Sequence, residues 1–198
     1  PMNLEKMHVM VEHACNGLGG VSPSQVEMQS GIQFYDGIST DEIQGILIKS
    51  ASDLISLDQP NYQFVAARLL LFSLRKSLYG KLFEIPHLQE HINRCVESGV
   101  YDPAVKDKFT VGEINEIEKF LDHDRDYLFT YAGLRQVADK YLVQDRSSGQ
   151  VYETPQFMYV LIAMTMFAEY DRGTRLNYIR KYYDAISKHK INIPTPIM

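Results

Sequence analysis

Ser39-Thr40-Asp41-Glu42-Ile43-Gln44-Gly45-Ile46-Leu47-Ile48-Lys49-Ser50-Ala51-Ser52-Asp53-Leu54 is the stretch on which the fold turns. It opens with a helix-start signal: a hydroxyl residue able to cap, and a glutamate three positions on that can close a capping box. Behind that signal, Ile43, Ile46, Leu47, Ser50 and Leu54 recur at helical spacing, with Ala51 beside them, and predict one inward face. The same grammar repeats on either side. Leu4, Met7, His8, Val11 and Cys15 share a face of an earlier helix that Asn16-Gly17 and Gly19-Gly20 stop. Ser22-Pro23-Ser24-Gln25 starts a second helix, with Ser22 as cap, Pro23 in the first turn and Gln25 closing the box. That helix carries Val26 and Met28 and ends near Gly31. Asp58-Gln59-Pro60 opens a fourth, running through Val65, Ala66, Leu69, Leu70 and Leu74 to Tyr79 and stopping at Gly80. Four helices in about 80 residues joined by short loops predict a helical module.

After Gly80 the pattern stays helical. Helices are expected over Pro86 to Ser98, after Thr110-Val111-Gly112-Glu113, from Tyr127 or Tyr131 to Lys140, from Thr154-Pro155-Gln156 through Phe167, and from Thr174 to Lys188. Tyr141-Leu142-Val143 and Gln150-Val151-Tyr152 flank a Gly-containing turn and predict one small hairpin. Ile191 to Met198, with Pro194 and Pro196, reads as extended. The expected fold class is therefore mainly α: a four-helix module, then a second helical region with one β-hairpin. There is no clear internal repeat.

Composition narrows the function classes. The chain has 198 residues, Lys+Arg 20 against Asp+Glu 25, and a net charge of −5, which argues against a broad nucleic-acid-binding surface. Its longest apolar stretches, Phe157 to Ala168 and Leu69 to Phe72, are too short to span a membrane. Cys15 and Cys95 are far apart and lack metal-ligand spacing, so they read as small core residues of a reducing, cytoplasmic compartment. No GxSxG, P-loop, HExxH or GxGxxG occurs. His87 and His91, four apart, form a possible metal pair without an evident third ligand, and no metal is expected on this chain. Asp122-His123-Asp124-Arg125-Asp126 is dense enough for acid/base work but reads more simply as a helix start with local ion pairs. Arg172 to Lys190 carries a surplus of cations, yet its interleaved Leu176, Ile179, Tyr183 and Ile186 indicate core packing. The more specific expectation is an anion site. Thr40 begins a helix, Lys6 lies at the start of the first, and Lys76 lies near the end of the fourth, so in an antiparallel bundle these ends converge on a phosphate.

Three blocks then resemble the N-terminal part of the large (alpha, catalytic) subunit of class I ribonucleotide reductase, in its aerobic bacterial and phage-like form. The first is Ile32-Gln33-Phe34-Tyr35-Asp36-Gly37-Ile38 with Thr40-Asp41-Glu42-Ile43. The second is Pro60-Asn61-Tyr62-Gln63-Phe64-Val65-Ala66-Ala67-Arg68-Leu69 with Leu74-Arg75-Lys76 and Tyr79-Gly80. The third joins Asp122 to Asp126, Lys140-Tyr141-Leu142-Val143, Tyr152-Glu153-Thr154-Pro155-Gln156-Phe157 and Pro194-Thr195-Pro196-Ile197-Met198.

The resemblance implies that residues 1–80 are an ATP-cone, binding ATP or dATP with Mg to set overall activity. It implies that residues 81–198 are the helical N-terminal part of the catalytic domain, ahead of a ten-stranded α/β barrel that is not included. In that family the reaction is the thiyl-radical reduction of ribonucleoside diphosphates to deoxyribonucleoside diphosphates, dependent on thioredoxin or glutaredoxin. The radical comes from a small (beta) partner subunit, and the large subunits pair as a homodimer; neither DNA nor membrane is a partner. Residue by residue, Asn3, Leu4, Glu5 and Lys6 match the segment that contacts the effector nucleotide, Thr40 the helix-start threonine beside it, and Lys76 the lysine ending the fourth helix. Thr195 matches a threonine at the edge of the substrate site. The family's cone begins with a β-hairpin that precedes Pro1, and its redox cysteine follows Met198, so these 198 residues alone are expected to hold no catalytic residue and to be inactive. The alternative is a stand-alone helical nucleotide-sensing module, which would diverge from the family after Gly80.

Overall fold

A helix leaves its first amide groups without intrahelical acceptors, and two starts here solve that locally. In the computed structural model, which describes residues 4–31 and 33–192, Ser39 Oγ accepts the Glu42 N–H at 3.2 Å while the Glu42 carboxylate accepts the Ser39 N–H at 2.9 Å. Thr110 and Glu113 repeat the arrangement at 3.3 and 3.0 Å. The box expected at Ser22 and Gln25 meets a competitor instead: the Tyr62 hydroxyl donates to Gln25 Oε1 and accepts the Ser22 N–H at 3.0 Å.

The described residues form helices α1 (Leu4–Cys15), α2 (Pro23–Gly31), α3 (Thr40–Asp53) and α4 (Tyr62–Tyr79). Gly80 ends α4 in a left-handed conformation, φ +71°, that a side chain would resist. Then come α5 (Leu88–Glu97), α6 (Ala104–Lys108), α7 (Val111–Glu118), a 3-10 helix (His123–Leu128) and α8 (Tyr131–Lys140). The order closes with strands β1 (Gln144–Asp145) and β2 (Gln150–Val151) and helices α9 (Pro155–Phe167) and α10 (Arg175–Ser187). The two strands are antiparallel, Gln144 opposite Val151 and Asp145 opposite Gln150. The fold is mainly α with one small sheet, as the sequence predicts. Two compact units result. One comprises Pro1–Ser77 with Tyr127–Gln136; the other comprises Leu78–Asp126 with Val137–Met198.

In the first unit Val11, Ala14, Val26, Leu47, Ala51, Val65, Ala66, Leu69 and Phe72 form the core. The inward face of α1 is rotated from the expected one. Met10, Val11, Ala14 and Cys15 are buried, whereas His8 is exposed and holds Glu27 of α2 at 2.6 Å, which keeps its imidazolium above the usual pKa. Met28 is also outside, 73% exposed, because α2 buries only Val26 and Ser30. Tyr127 packs edge-on against Phe72 and lies under the guanidinium groups of Arg68 and Arg75, 5.3 and 5.5 Å from its ring centre.

The second unit is centred on α9, which is apolar on nearly every side and buries Phe157, Met158, Val160, Ala163 and Met164. Helix α10 lies along it and contributes Ile179, Tyr183 and Ile186. Arg175, only 3% exposed, ties this packing together. It donates to Glu113 at 2.6 and 2.8 Å and to the carbonyls of Ala168 (2.9 Å) and Lys108 (2.7 Å), and stacks 4.4 Å from the Phe109 ring centre. Glu113 therefore serves both as the closing residue of the α7 capping box and as the counter-charge of α10.

The hairpin pairing ends at Val143: its carbonyl accepts the Tyr152 N–H at 2.9 Å, but its own N–H donates to the Glu153 carboxylate at 2.9 Å, and Leu142 N–H donates to Val137 O. Glu153 is almost wholly buried and also accepts the Tyr101 hydroxyl. Behind Tyr101 stands His91, its Nε2 2.8 Å from the Tyr101 oxygen and its Nδ1 3.3 Å from Arg94. Those contacts fix a direction of donation: Arg94 to His91 Nδ1, His91 Nε2–H to Tyr101, Tyr101 to Glu153. The neutral imidazole this needs follows from burial, which pushes His91 down to about 3, while its ring stacks on Phe157 at 3.9 Å.

Two stability predictions follow from these buried groups. Arg175→Ala leaves Glu113 and two carbonyls without their donor and should lower urea-unfolding stability by about 3–5 kcal/mol. Lys108→Ala, which removes only the exposed 2.8 Å pair with Glu169, should change it by less than about 1 kcal/mol. Burial raises Glu153 from a carboxyl's ordinary 4.5 to about 7. The folded state thus binds this proton more tightly than the unfolded one. The Glu153 contribution is most favourable below pH 4.5, weakens as pH rises to about 7, and is flat above. The difference in stability between the wild type and Glu153→Gln, followed from pH 4.5 to 8, should therefore change by on the order of 3 kcal/mol. A difference independent of pH would contradict a buried, ionising Glu153.

Candidate nucleotide site

Helix α4 sets where the other helix ends of the first unit fall. Near its start, Asn61 Nδ2 donates to the Gly19 carbonyl at 2.9 Å. Two turns into it, Arg68 Nη1 donates to the carbonyls of Ala14 and Asn16 at 3.1 and 2.6 Å, at the C-terminal end of α1. Towards its other end, Ser73 Oγ donates to Gln44 Oε1 at 3.0 Å, one turn inside α3. The first two contacts run α1 antiparallel to α4, and the short connection from Asp53 to Tyr62, which returns the chain from the end of α3 to the start of α4, makes α3 antiparallel to it as well. Lys6 lies eight residues before Ala14 and Lys76 eight residues after Arg68, each a rise of roughly 12 Å in the same direction. Thr40 and Lys76 lie within about one turn of the Gln44–Ser73 bond. The N-termini of α1 and α3 and the C-terminus of α4 consequently share one end of the unit, carrying Lys6, Thr40 and Lys76.

The individual groups suit different tasks there. Glu5 and Lys6 are exposed in the first turn of α1. Thr40 is exposed at the first position of α3, so its hydroxyl and the N–H groups of Thr40 and Asp41 face out of the helix start, where the dipole favours an anion. Lys76 is half-buried in the last turn of α4. The same end also holds acids. Asp41 lies in the first turn of α3, and Glu42, bonded to Ser39 and to the Tyr35 hydroxyl at 3.0 Å, stays ionised below the usual carboxylate range through those bonds. A polyphosphate here would be drawn by lysines and amides and repelled by the carboxylates of Glu5, Asp41 and Glu42, a balance that an oxygen-seeking cation such as Mg²⁺ would tip. Asn3 and Thr195 lie outside the described residues, and of Leu4 only the backbone is described.

Gln44 and Ser73 were not singled out by sequence. Gln44 is 6% exposed on a face read as apolar, and a glutamine at such a position was the available signal. Arg75, beside Lys76, turns inward to Tyr127 and is buried. A shallow cavity of about 430 Å³ lined by Glu12, Asn16, Val21 and Pro23 lies at the far end of α1, and neither lysine nor arginine lines it.

The other sequence candidates resolve into structure. His87 is the residue before α5 and contacts Glu118 at 3.4 Å, whereas His91 is buried against Phe157; among the described residues no group of three His, Cys, Asp or Glu is disposed to hold a metal. The run Asp122 to Asp126 is wired into α9 and α10. Arg125 pairs with Asp122 (3.2 Å) and Asp184 (2.7 Å), and Asp126 accepts from Gln156 at 2.9 Å. Cys15 and Cys95 are free thiols, and burial raises both, Cys15 to about 11. No described helix is long and apolar enough to cross a membrane.

Against this geometry, comparison with known proteins is specific. Residues 127–198 match the family described as "Ribonucleotide reductase, all-alpha domain". Over 197 residues, all of this chain, it is 50% identical to ribonucleoside-diphosphate reductase 1 subunit alpha of Escherichia coli strain K12, of which that is 26%. It is 47% identical over 197 residues to the subunit alpha of Haemophilus influenzae. With the subunit alpha of Enterobacteria phage T4 it shares 43% identity over 181 residues, 90% of this chain and 24% of that one. The chain thus spans about a quarter of the length of the curated relatives it matches. Likeness at this level runs along the whole chain, through both units, and is in each case to the alpha subunit of a ribonucleoside-diphosphate reductase.

Proposed function

We propose that this chain is the regulatory and substrate-edge portion of an alpha subunit that reduces ribonucleoside diphosphates for DNA precursor synthesis. The observation that carries this is the likeness to alpha subunits along both units, since a stand-alone nucleotide-sensing module would part from them after Gly80. On this reading residues 1–80 are the ATP-cone. Asn3, Leu4, Glu5, Lys6, Thr40 and Lys76 contact ATP or dATP, with Mg²⁺ screening phosphate from Asp41 and Glu42. The shared end of α1, α3 and α4 supports that assignment, because it offers two ammonium groups and a helix start to one polyphosphate. Residues 81–198 are then the helical N-terminal part of the catalytic domain, and Thr195 contacts substrate. The radical comes from the small beta subunit, the reducing electrons from thioredoxin or glutaredoxin, and the working assembly contains a homodimer of alpha subunits in the cytoplasm.

Calorimetric titration of this chain with MgATP should show binding, and Lys76→Ala should weaken it at least tenfold, or about 1.4 kcal/mol. Arg172→Ala, in the other unit, should leave it unchanged. Equal affinities for Lys76→Ala and wild type would move the nucleotide elsewhere.

In a full-length alpha subunit carrying this segment, Thr195→Val keeps the side chain's shape and removes its hydroxyl. It should lower kcat/KM for diphosphate reduction by about 1–3 kcal/mol, through a lost hydrogen bond and its unpaired partner, and leave ATP binding untouched. Unchanged kinetics would remove Thr195 from the substrate site.

A further inference from the structure

The second unit contains a cavity of about 410 Å³ that the nucleotide reading does not use. Val105, Phe109, Met158 and Ile162 form apolar walls, and the polar groups Tyr101 and Glu153 line it as well. This is the composition of a small-molecule pocket: mostly hydrophobic, of a few hundred Å³, with a few convergent polar groups.

The chemistry at Glu153 selects the ligand. The relay from Arg94 through His91 and Tyr101 donates towards the carboxylate, and Val143 donates to its other oxygen at 2.9 Å. Each carboxylate oxygen keeps a further lone pair, so what enters must donate rather than accept. Both contacts to the carboxylate are neutral donors, which leaves its charge uncompensated at a site only 2% exposed. Of the other charged groups lining the cavity, Lys108 is engaged by Glu169 at 2.8 Å and Asp102 caps the Ala104 N–H at 2.9 Å. The remaining titratable neighbours are Tyr101, Tyr141 and, behind them, His91 and Cys95; burial holds Tyr101 and Cys95 protonated and His91 neutral. An ionised Glu153 is therefore the dominant charge facing the space.

We propose that this cavity is a binding site for a small organic amine, its apolar body against Phe109 and Met158 and its ammonium group on Glu153. The site is separate from the nucleotide reading, and its test does not depend on it. An ammonium inside the cavity replaces lost solvation of the carboxylate with a charge-assisted hydrogen bond, while the walls take up the apolar surface.

Benzylamine and its neutral counterpart benzyl alcohol, titrated into this chain by NMR at pH 6 and pH 8, test the assignment. Benzylamine should bind saturably and roughly tenfold more tightly at pH 8, because Glu153 with a pKa of about 7 must release its proton first. Benzyl alcohol should bind at least tenfold more weakly than the amine at pH 8, with no pH dependence. Glu153→Gln should abolish the preference for the amine. Thr165→Trp, at an exposed lining position, should exclude both probes without disturbing the core. The proposal fails if amine and alcohol bind equally, if Glu153→Gln keeps the preference, if Thr165→Trp binds like wild type, or if benzylamine does not bind saturably at either pH.

Discussion

The register of α4 is the constraint on which the first unit rests. Three side chains on successive stretches of this one helix each hold a different neighbour: Tyr62 fastens the start of α2, Arg68 the end of α1, and Ser73 the first turns of α3. Each contact satisfies a polar group that the surrounding apolar core could not, so sliding α4 by one turn would strand all three at once. The apolar surface between Val11, Leu47, Leu69 and Phe72 supplies most of the attraction but little of the alignment, because such contacts are non-directional. Hydrogen bonds choose the register, and the register determines which helix ends lie together. The phosphate site proposed at Lys6, Thr40 and Lys76 would in this sense be a by-product of how α4 is gripped.

The second unit uses buried polar groups differently. Arg175 and Glu153 both sit in low-dielectric surroundings, but the first is balanced by an acid and the second is not. Arg175 meets Glu113 and two carbonyls and becomes a fixed joint between α10, α7 and the end of α9. Glu153 meets only neutral donors, and its protonation state stays responsive near neutral pH. An acid in that condition contributes less to stability as it ionises.

Local signals were legible and non-local ones were not. The boxes at Ser39–Glu42 and Thr110–Glu113 involve residues three apart, so the sequence alone announces them. Ser22 and Gln25 carry the same letters, yet Tyr62, forty residues away from Ser22, claims both. On α1 the helical period could be read but not its phase. His8 looked inward because it continues the pattern, whereas the inward side is decided by where α2 and α4 lie, and Glu27 draws His8 outward. The lysines and the threonine of the candidate site were visible as charges and hydroxyls at helix ends, and the family resemblance made them specific. That those ends meet depends on Gln44 and Ser73, two residues whose pairing no spacing rule reveals. The relay into Glu153 joins three separate segments, α5, Tyr101 and Glu153 itself, and was invisible for the same reason.

The return of residues Tyr127–Gln136 to the first unit bears on how the chain is made. Tyr127 is the ring beneath both Arg68 and Arg75, and it follows Arg75 by about fifty residues. A polypeptide emerging from the ribosome at roughly 5–20 residues per second therefore waits several seconds between completing α4 and supplying the aromatic surface that its guanidinium groups rest on. During that interval Arg75, destined to be 2% exposed, faces water or a chaperone. The four helices can collapse early, but their final packing is set by a segment translated only after most of α5, α6 and α7 has appeared.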